Sequence, residues 1–404
     1  MKLVSFLGTT AYGETLYRWK DQEIRTAYSA AACCAFLHPE ELIVFATEEA
    51  FGKNWEGLCD AVSRIGGPLP VRRRIALGKN EAELWQIFSD LTEEIPSGTE
   101  IAIDLTNGQR SLPAVVILAS VFMKTGLNVN VSHLFYGAYK VDPETPDCSP
   151  MFDLSSMLEL TDWGIAAERF SRAGDASELA KQFLDFGKDY AKNHEGADRQ
   201  TGHMLRRLSE DLTEISRCYM LLRPKHIRHA EQRLKINLKN AETSLNNISE
   251  QKPLQLLLDR LEKAYIPDEE LYDSEGEEML IRERSMIRWY RERGHLMQAV
   301  SLAREWLLTW FMVRNGVVKN ELLDDNHLRD EYNDKLICAR DEQHLPENVD
   351  REGFFTLYDT LGDLRNDLMH AGKRPNPAKP KNLSETVNEQ IDLLMQLPIG
   401  EEKK

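Results

Sequence analysis

Arg365, Asn366 and His370 stand together in the string LRNDLMHAG, and no other cluster in the chain is better equipped for chemistry. Arg365 supplies a permanent cation, and His370 a group whose unperturbed pKa is about 6.5. Metal-free cleavage of RNA needs such tools. A base takes the proton from the ribose 2′-hydroxyl, an acid protonates the leaving 5′-oxygen, and a cation stabilises the extra charge on the phosphorus oxygens. One Arg and one His per chain are few for these roles, whereas two copies facing each other across a twofold axis supply acid, base and two cations. Asn366 and His370 are i and i+4 on a helix, so the amide can orient the imidazole. Arg365 and His370 are i and i+5 and diverge unless the helix loosens there; Gly372 with Pro375 predicts that it ends just beyond His370. The same residues also suit a plain C-terminal helix whose His sits near the negative end of the dipole, and as a bare pattern that is the commoner case.

A second constellation lies in residues 104–113, DLTNGQRSLP, between an alternating strand (EIAIDL) and a long apolar helix. Asp104, Thr106, Asn107, Gly108, Gln109 and Arg110 put polar side chains and free backbone N–H groups at the end of that strand. In an open α/β sheet this is the edge where ligands bind. Gly8, Thr9, Thr10 and Tyr12 follow the first strand at the same edge. The two loops together offer hydroxyls, close backbone approach for a phosphate, an aromatic face for stacking, and Arg110 as an anion clamp, an inventory that fits a nucleotide-like anion. GTTAYG is not GxGxxG, and no GxxxxGK[ST] occurs, so a dinucleotide or a nucleoside triphosphate has little support. Each loop alone also reads as an ordinary strand-to-helix turn.

The remaining candidates read as scaffold. His226 and His229 are i and i+3 on a basic helix surface and lack further ligands at metal spacing, His38 and His133 are structural, and no metal site is expected. Trp306 and Trp310, with Leu302, Leu307 and Phe311, form a stripe that is core or a helix-helix dimer face.

These residues must be carried by two kinds of architecture. Up to about residue 158, short strands at 3–7, 42–46, 71–77, 101–105 and 129–136 alternate with helices at 29–37, 55–65, 81–94 and 112–124, with a hairpin over 16–28 turning at Asp21 and Gln22. That alternation implies βαβ units and a mostly parallel sheet, a Rossmann-like α/β domain over 1–158. Beyond it apolar residues recur at helical spacing through 163–191, 204–222, 254–265, 279–290 and 296–311, which predicts an all-α region over 159–404 interrupted by an acidic loop at 266–278.

Composition narrows the function classes. The chain has 404 residues and a formal net charge of -16, which argues against a broad basic face for nucleic acid. Two basic stretches, Arg217 to Lys239 and Arg282 to Arg293, read as solvated helix faces or as a nucleic-acid track. The six cysteines show no CxxC pair, no apolar run reaches the length of a membrane span, and MKLVSFLGTT enters a strand directly; a soluble, cytoplasmic protein with reduced thiols is expected.

Taken in order along the chain, the two constellations resemble the CARF and HEPN ribonucleases associated with type III CRISPR systems, over nearly the whole length. The Rossmann-like CARF half of that family carries Asp-x-Thr-(His or Asn)-Gly after its fourth strand, matched by Asp104, Thr106, Asn107 and Gly108. The HEPN half ends in Arg-(x4 to x6)-His, often with Asn after the Arg, matched by Arg365, Asn366 and His370. The resemblance implies a homodimer with no cofactor, whose paired CARF domains bind a cyclic oligoadenylate on the twofold axis, with cyclic tetraadenylate favoured over hexaadenylate. Binding then activates a composite HEPN site that cuts single-stranded RNA without metal, leaving a 2′,3′-cyclic phosphate and a 5′-hydroxyl. Two other readings stay open: a ligand-sensing transcription regulator that binds DNA through its helical domain, and a sensor half that degrades its own ligand.

Overall fold

Residues 1–108, 111–139, 141, 144–145, 147–193, 195–245, 257–261, 263, 275–338, 345, 349–373 and 377–399 are described by the structure, a computed structural model. The chain divides into two units, Met1–Asp162 and Trp163–Lys404.

Among the described residues the first unit has eight strands: β1 (Lys2–Leu7), β2 (Thr15–Trp19), β3 (Gln22–Thr26), β4 (Glu41–Ala46), β5 (Pro70–Arg74), β6 (Glu100–Asp104), β7 (Asn130–Gly137) and β8 (Cys148–Asp153). They lie in the order β3-β2-β8-β7-β6-β1-β4-β5. Five of them, β7-β6-β1-β4-β5, run parallel. Counted along the chain, these parallel strands have the spatial order 3-2-1-4-5, a doubly wound sheet whose order reverses between β1 and β6. The helices α1 (Ser29–Leu37), α2 (Glu48–Arg64), α3 (Glu81–Glu94) and α4 (Leu112–Gly126) cover it. Apolar side chains of α1 and α2 pack with Leu3, Leu42, Val44 and Ala102 on one face. Those of α3 and α4 pack with Val4, Ile43, Ile101 and Ile103 on the other. Burial on both faces is why LIVFA in β4 is a continuous apolar run, and why Ile101 through Leu105 are all buried although EIAIDL alternates in polarity.

Several elements differ from the sequence reading. The helix expected at 55–65 begins at Glu48, where Thr47 caps it by accepting from Ala50 N at 3.3 Å. The strand expected at 71–77 stops at Arg74. In the hairpin the strands end at Trp19 and resume at Gln22, so the turn is Lys20-Asp21, with Lys20 at φ 53°. Strand β8 is not legible in CSPMFD, because Pro150 and the turn-forming residues before it argue against a strand. It pairs antiparallel with β7 and parallel with β2, joining the hairpin to the main sheet.

Among the described residues the second unit is helical throughout: α5 (Ser155–Ala173, which starts in the first unit), α6 (Ser177–Asn193), α7 (Gly196–Met220), α8 (Pro224–Leu245), α9 (Glu275–Glu292), α10 (Leu296–Arg314), α11 (Asn320–Leu323), α12 (Asn326–Cys338), α13 (Arg351–Met369) and α14 (Pro380–Met395). The apolar run 163–191 is two helices, broken at Gly174. Its φ of +68° suits glycine, and a Cβ there would lie 2.0 Å from the Trp289 ring. Trp306 and Trp310 are fully buried, and their indole N–H groups donate to Leu280 O at 2.8 Å and Pro398 O at 2.7 Å. That stripe is therefore core. Most of the expected helix at 254–265 and of the acidic loop at 266–278 lies outside the described residues.

Candidate functional site

The loops after β1 and β6 sit at the point where the order of the parallel strands reverses, so α/β geometry alone opens a crevice between them. Asp104 ends β6 with no solvent exposure, and its carboxylate is the hub of the crevice. Ser5 Oγ and Ser29 Oγ both donate to its Oδ2, at 2.8 and 2.6 Å, and Thr106 N donates to Oδ1 at 3.0 Å. Asn107 Nδ2 then donates to Ser29 Oγ at 2.9 Å, so the Asn107 amide is aimed by a serine that Asp104 holds. Gly137 N donates to Thr106 Oγ1 at 2.8 Å, tying the loop to the end of β7. Asp104, expected at the ligand, thus has no exposed surface and instead holds Ser5, Ser29 and Thr106 in place.

The β1 loop is held as firmly. Gly8 N donates to the Tyr12 hydroxyl at 2.7 Å, and Asn54 Nδ2 donates to Gly8 O at 2.9 Å and Thr10 O at 3.0 Å. Burial pushes the Tyr12 phenol up to about 12; the Gly8 N–H works against this, and Asp104 and Tyr28 add to it. Its ring meets Tyr28 edge-on at 5.3 Å. Thr9 and Thr10 are exposed, as is Gly108, where a Cβ would fall 2.6 Å from Leu112 Cδ2. Gly8, Thr9, Gly108 and Ser111 line the crevice over an apolar floor that includes Phe45 and Ile87, with a cavity of about 40 Å³. At its rim, α4 starts after Ser111 with no side-chain cap; Pro113 has no N–H and Val115 N donates to Ser111 O, so the uncapped first-turn donors are Leu112 N and Ala114 N. Gln109, and Arg110 as the expected anion clamp, lie outside the described residues.

Sequence reasoning missed Ser5, Ser29, Tyr28 and Asn54. Ser5 carried a signal, since it is the polar residue inside LVSFL, and a polar side chain in a strand buried on both faces needs a partner. The other three carried none, because their partners come from distant loops.

In the second unit, Arg365, Asn366 and His370 are all exposed on the last turn of α13 and the residue that ends it. His370 is the C-cap, its backbone N–H donating to Asn366 O at 3.0 Å. The helix ends as expected: Ala371 and Gly372 take φ of +54° and +64°, and Gly372 N donates back to Asp367 O at 2.9 Å. In the basic stretches five of the cations are ion-paired with acids of other elements. Lys225, Arg228 and Arg233 pair with Asp324, Glu278 and Asp211, and Arg282 and Arg291 with Glu231 and Asp392. Among the described residues no group of three or more metal-ligating side chains occurs, and no helix is long and apolar enough to cross a membrane.

Fold and site together define a class: a doubly wound α/β unit with a polar mouth at its switch point, followed by an all-helical unit bearing an exposed Arg-Asn-His cluster. Comparison with known proteins adds a family similarity. Residues 159–267 match the second domain of a family described as CRISPR-associated protein MJ1674. The protein of that name from Methanocaldococcus jannaschii is 27% identical over 145 residues, an alignment that spans 35% of this chain and 23% of the relative's length. Among solved structures, Enterococcus italicus Csm6 bound to cyclic hexa-2′-fluoro-hexa-dAMP is similar over 98% of this chain and 92% of that one, at 12% identity and a TM-score of 0.45.

Proposed function

We propose that the protein is a cyclic oligoadenylate-activated endoribonuclease of type III CRISPR antiviral defence, which works as a homodimer and cleaves single-stranded RNA without metal. The observation that carries this reading is the exposed Arg365, Asn366 and His370 cluster at the broken end of α13. Around a helix, Arg365 and His370 point about 140° apart, so one copy does not bring both to one phosphate. Across a twofold axis the arginine of one subunit faces the histidine of the other. One His370 takes the 2′-hydroxyl proton, its mate protonates the 5′-oxygen, and the Arg365 pair stabilises the phosphorane oxygens. Asn366, one turn before His370, orients the imidazole.

The same symmetry suits the sensor half. A cavity of about 40 Å³ is far below the ~300 Å³ at which a pocket encloses a small ligand. A ring of nucleotides would therefore lie across the open mouths of two copies, its phosphates toward the uncapped α4 and its bases toward the Asn107 and Tyr12 loops. Cyclic tetraadenylate is favoured over hexaadenylate. The similarity of residues 159–267 to a domain of a CRISPR-associated protein supports this setting. The helix at the mouth also offers a face for pairing: Ile117, Leu118 and Phe122 on α4 are exposed, and Phe122 is continuous through Phe88 with exposed Trp85 on α3. Leu118→Asp is expected to convert a dimer to a monomer in light scattering and to abolish activation while leaving the fold intact; an unchanged mass would remove this face from the interface.

The test of function is direct. Incubated with cyclic tri-, tetra- and hexaadenylate and a fluorescent single-stranded RNA, the protein is expected to cleave with the tetramer, at the same rate in EDTA. Loss of activity in chelator would contradict the mechanism. Silence with every ring, together with steeply salt-dependent binding to specific duplex DNA, would favour a transcription regulator. Chromatography of the activator after long incubation decides whether the sensor half consumes it.

A further inference from the structure

One side of α7 enters the helical core through Leu205, Leu208 and Leu212, and the other carries Arg199, His203, Arg206 and Arg207, all exposed. The first half of the helix is firmly held from behind. Gly202 lets α7 cross α6 so closely that a Cβ there would lie 2.5 Å from Gly187 O, and Ser244 Oγ on α8 donates to Met204 Sδ at 3.3 Å. Along the outer side runs a groove of about 620 Å³, lined among the described residues by Gln200, His203, Met204, Arg206, Arg207 and Glu210. Its cations differ from those around them. On the neighbouring helices Arg172, Lys188, Arg228 and Arg233 each pair with a carboxylate. Arg199, Arg206 and Arg207 form no ion pair among the described residues, and neither does Glu210, the acid on the groove wall. Three guanidinium groups thus stand open to solvent within roughly 12 Å of helix axis.

We propose that this groove binds the sugar-phosphate backbone of single-stranded RNA, on a different helix from Arg365, Asn366 and His370; the choice of RNA rests on the proposed ribonuclease activity. Guanidinium forks match phosphate oxygens in pairs, and the Gln200 amide adds a further donor. No aromatic side chain lines the groove among the described residues, and Met204 is its one apolar member, so the strand is held by its backbone and not by stacked bases. A metal ion is repelled by the same charges. A duplex needs a broad basic face, which a chain of net charge -16 does not offer, whereas a single strand can follow a short track. If Arg206 and Arg207 each neutralise one phosphate, the pair contributes roughly -1.4 to the log-log salt slope of binding.

Anisotropy of a labelled oligouridylate with the full chain carrying His370→Ala, which keeps the RNA intact, is the experiment. Arg206→Gln together with Arg207→Gln is expected to weaken binding at least about fivefold at about 50 mM salt and to make the salt slope shallower by roughly 1.4, at an unchanged melting temperature. Arg172→Gln together with Lys188→Gln removes the same charge from ion-paired surface positions, and is expected to bind like the parent. Polyglutamate and duplex DNA are expected to compete poorly. Equal affinity in the Arg206 and Arg207 variant, an equal loss in the control pair, or equal capture of polyglutamate or duplex DNA would each overturn the proposal. Its failure and that of the nuclease are distinguishable. RNA held through Arg206 and Arg207 by a protein that no cyclic adenylate turns on would keep the groove and remove the nuclease. Cleavage with an unaltered KM in the Arg206 and Arg207 variant would remove the groove and keep the nuclease.

Discussion

His370→Ala is expected to remove activated RNA cleavage, lowering single-turnover rates at saturating cyclic tetraadenylate by about 10² to 10⁴, the usual worth of one proton-transfer role. Because the proposed twofold-symmetric site would use the same residue as base in one subunit and acid in the other, the loss belongs at the upper end. Arg365→Ala is expected to cost about 10² to 10³, comparable with one oxyanion donor. The fold should not notice either change. Both side chains are exposed, and the hydrogen bond by which His370 closes α13 is made by its backbone N–H, which alanine keeps. An unchanged melting temperature with lost turnover is the signature of a residue at the reacting atoms. Undiminished cleavage by His370→Ala would remove this cluster as the site.

Asp104→Ala should do the opposite, damaging the structure first and the function through it. Removing the carboxylate strips the acceptor from Ser5 Oγ, Ser29 Oγ and Thr106 N at once, and the two hydroxyls lie in a region closed to water. Each orphaned donor costs about 1–3 kcal/mol, and some relaxation is shared, so a loss of roughly 3 kcal/mol is expected. For a unit of this size that corresponds to roughly 6–12 °C in melting temperature. Ser29 would then no longer hold the Asn107 amide, so the activator concentration for half-maximal cleavage should rise even where the protein remains folded. Asp104→Asn keeps the shape but turns an N–H₂ toward hydroxyl donors, and should fall between wild type and alanine. Urea unfolding followed by an activator titration separates the two effects. Wild-type stability in Asp104→Ala would show that the serines find other partners and that the hub is not needed.

Much of the α/β architecture was legible because strand and helix are set by local polarity patterns. LVSFL, LIVFA and EIAID become β1, β4 and β6, and the helices at 29–37 and 81–94 keep their expected bounds. Placing both loops at one sheet edge required only that the strands be parallel, which the alternation with helices implied. The break after His370 was likewise local, announced by Gly372.

What the sequence could not decide is which distant groups meet. Asp104 looked like a ligand residue because its type and position at a strand end suit one; its partners Ser5 and Ser29 stand 99 and 75 residues away, and the strand order that brings β1 beside β6 turns its carboxylate inward. The partners of Arg228, Arg282 and Arg291 were hidden for the same reason, since Glu278, Glu231 and Asp392 arrive from other helices. Sequence by itself determined the elements and the residues able to do chemistry, because both follow from local periodicity and side-chain type. Tertiary structure decided which of those residues are spent inside the fold and which remain available, because hydrogen bonds and ion pairs are settled by neighbours in space.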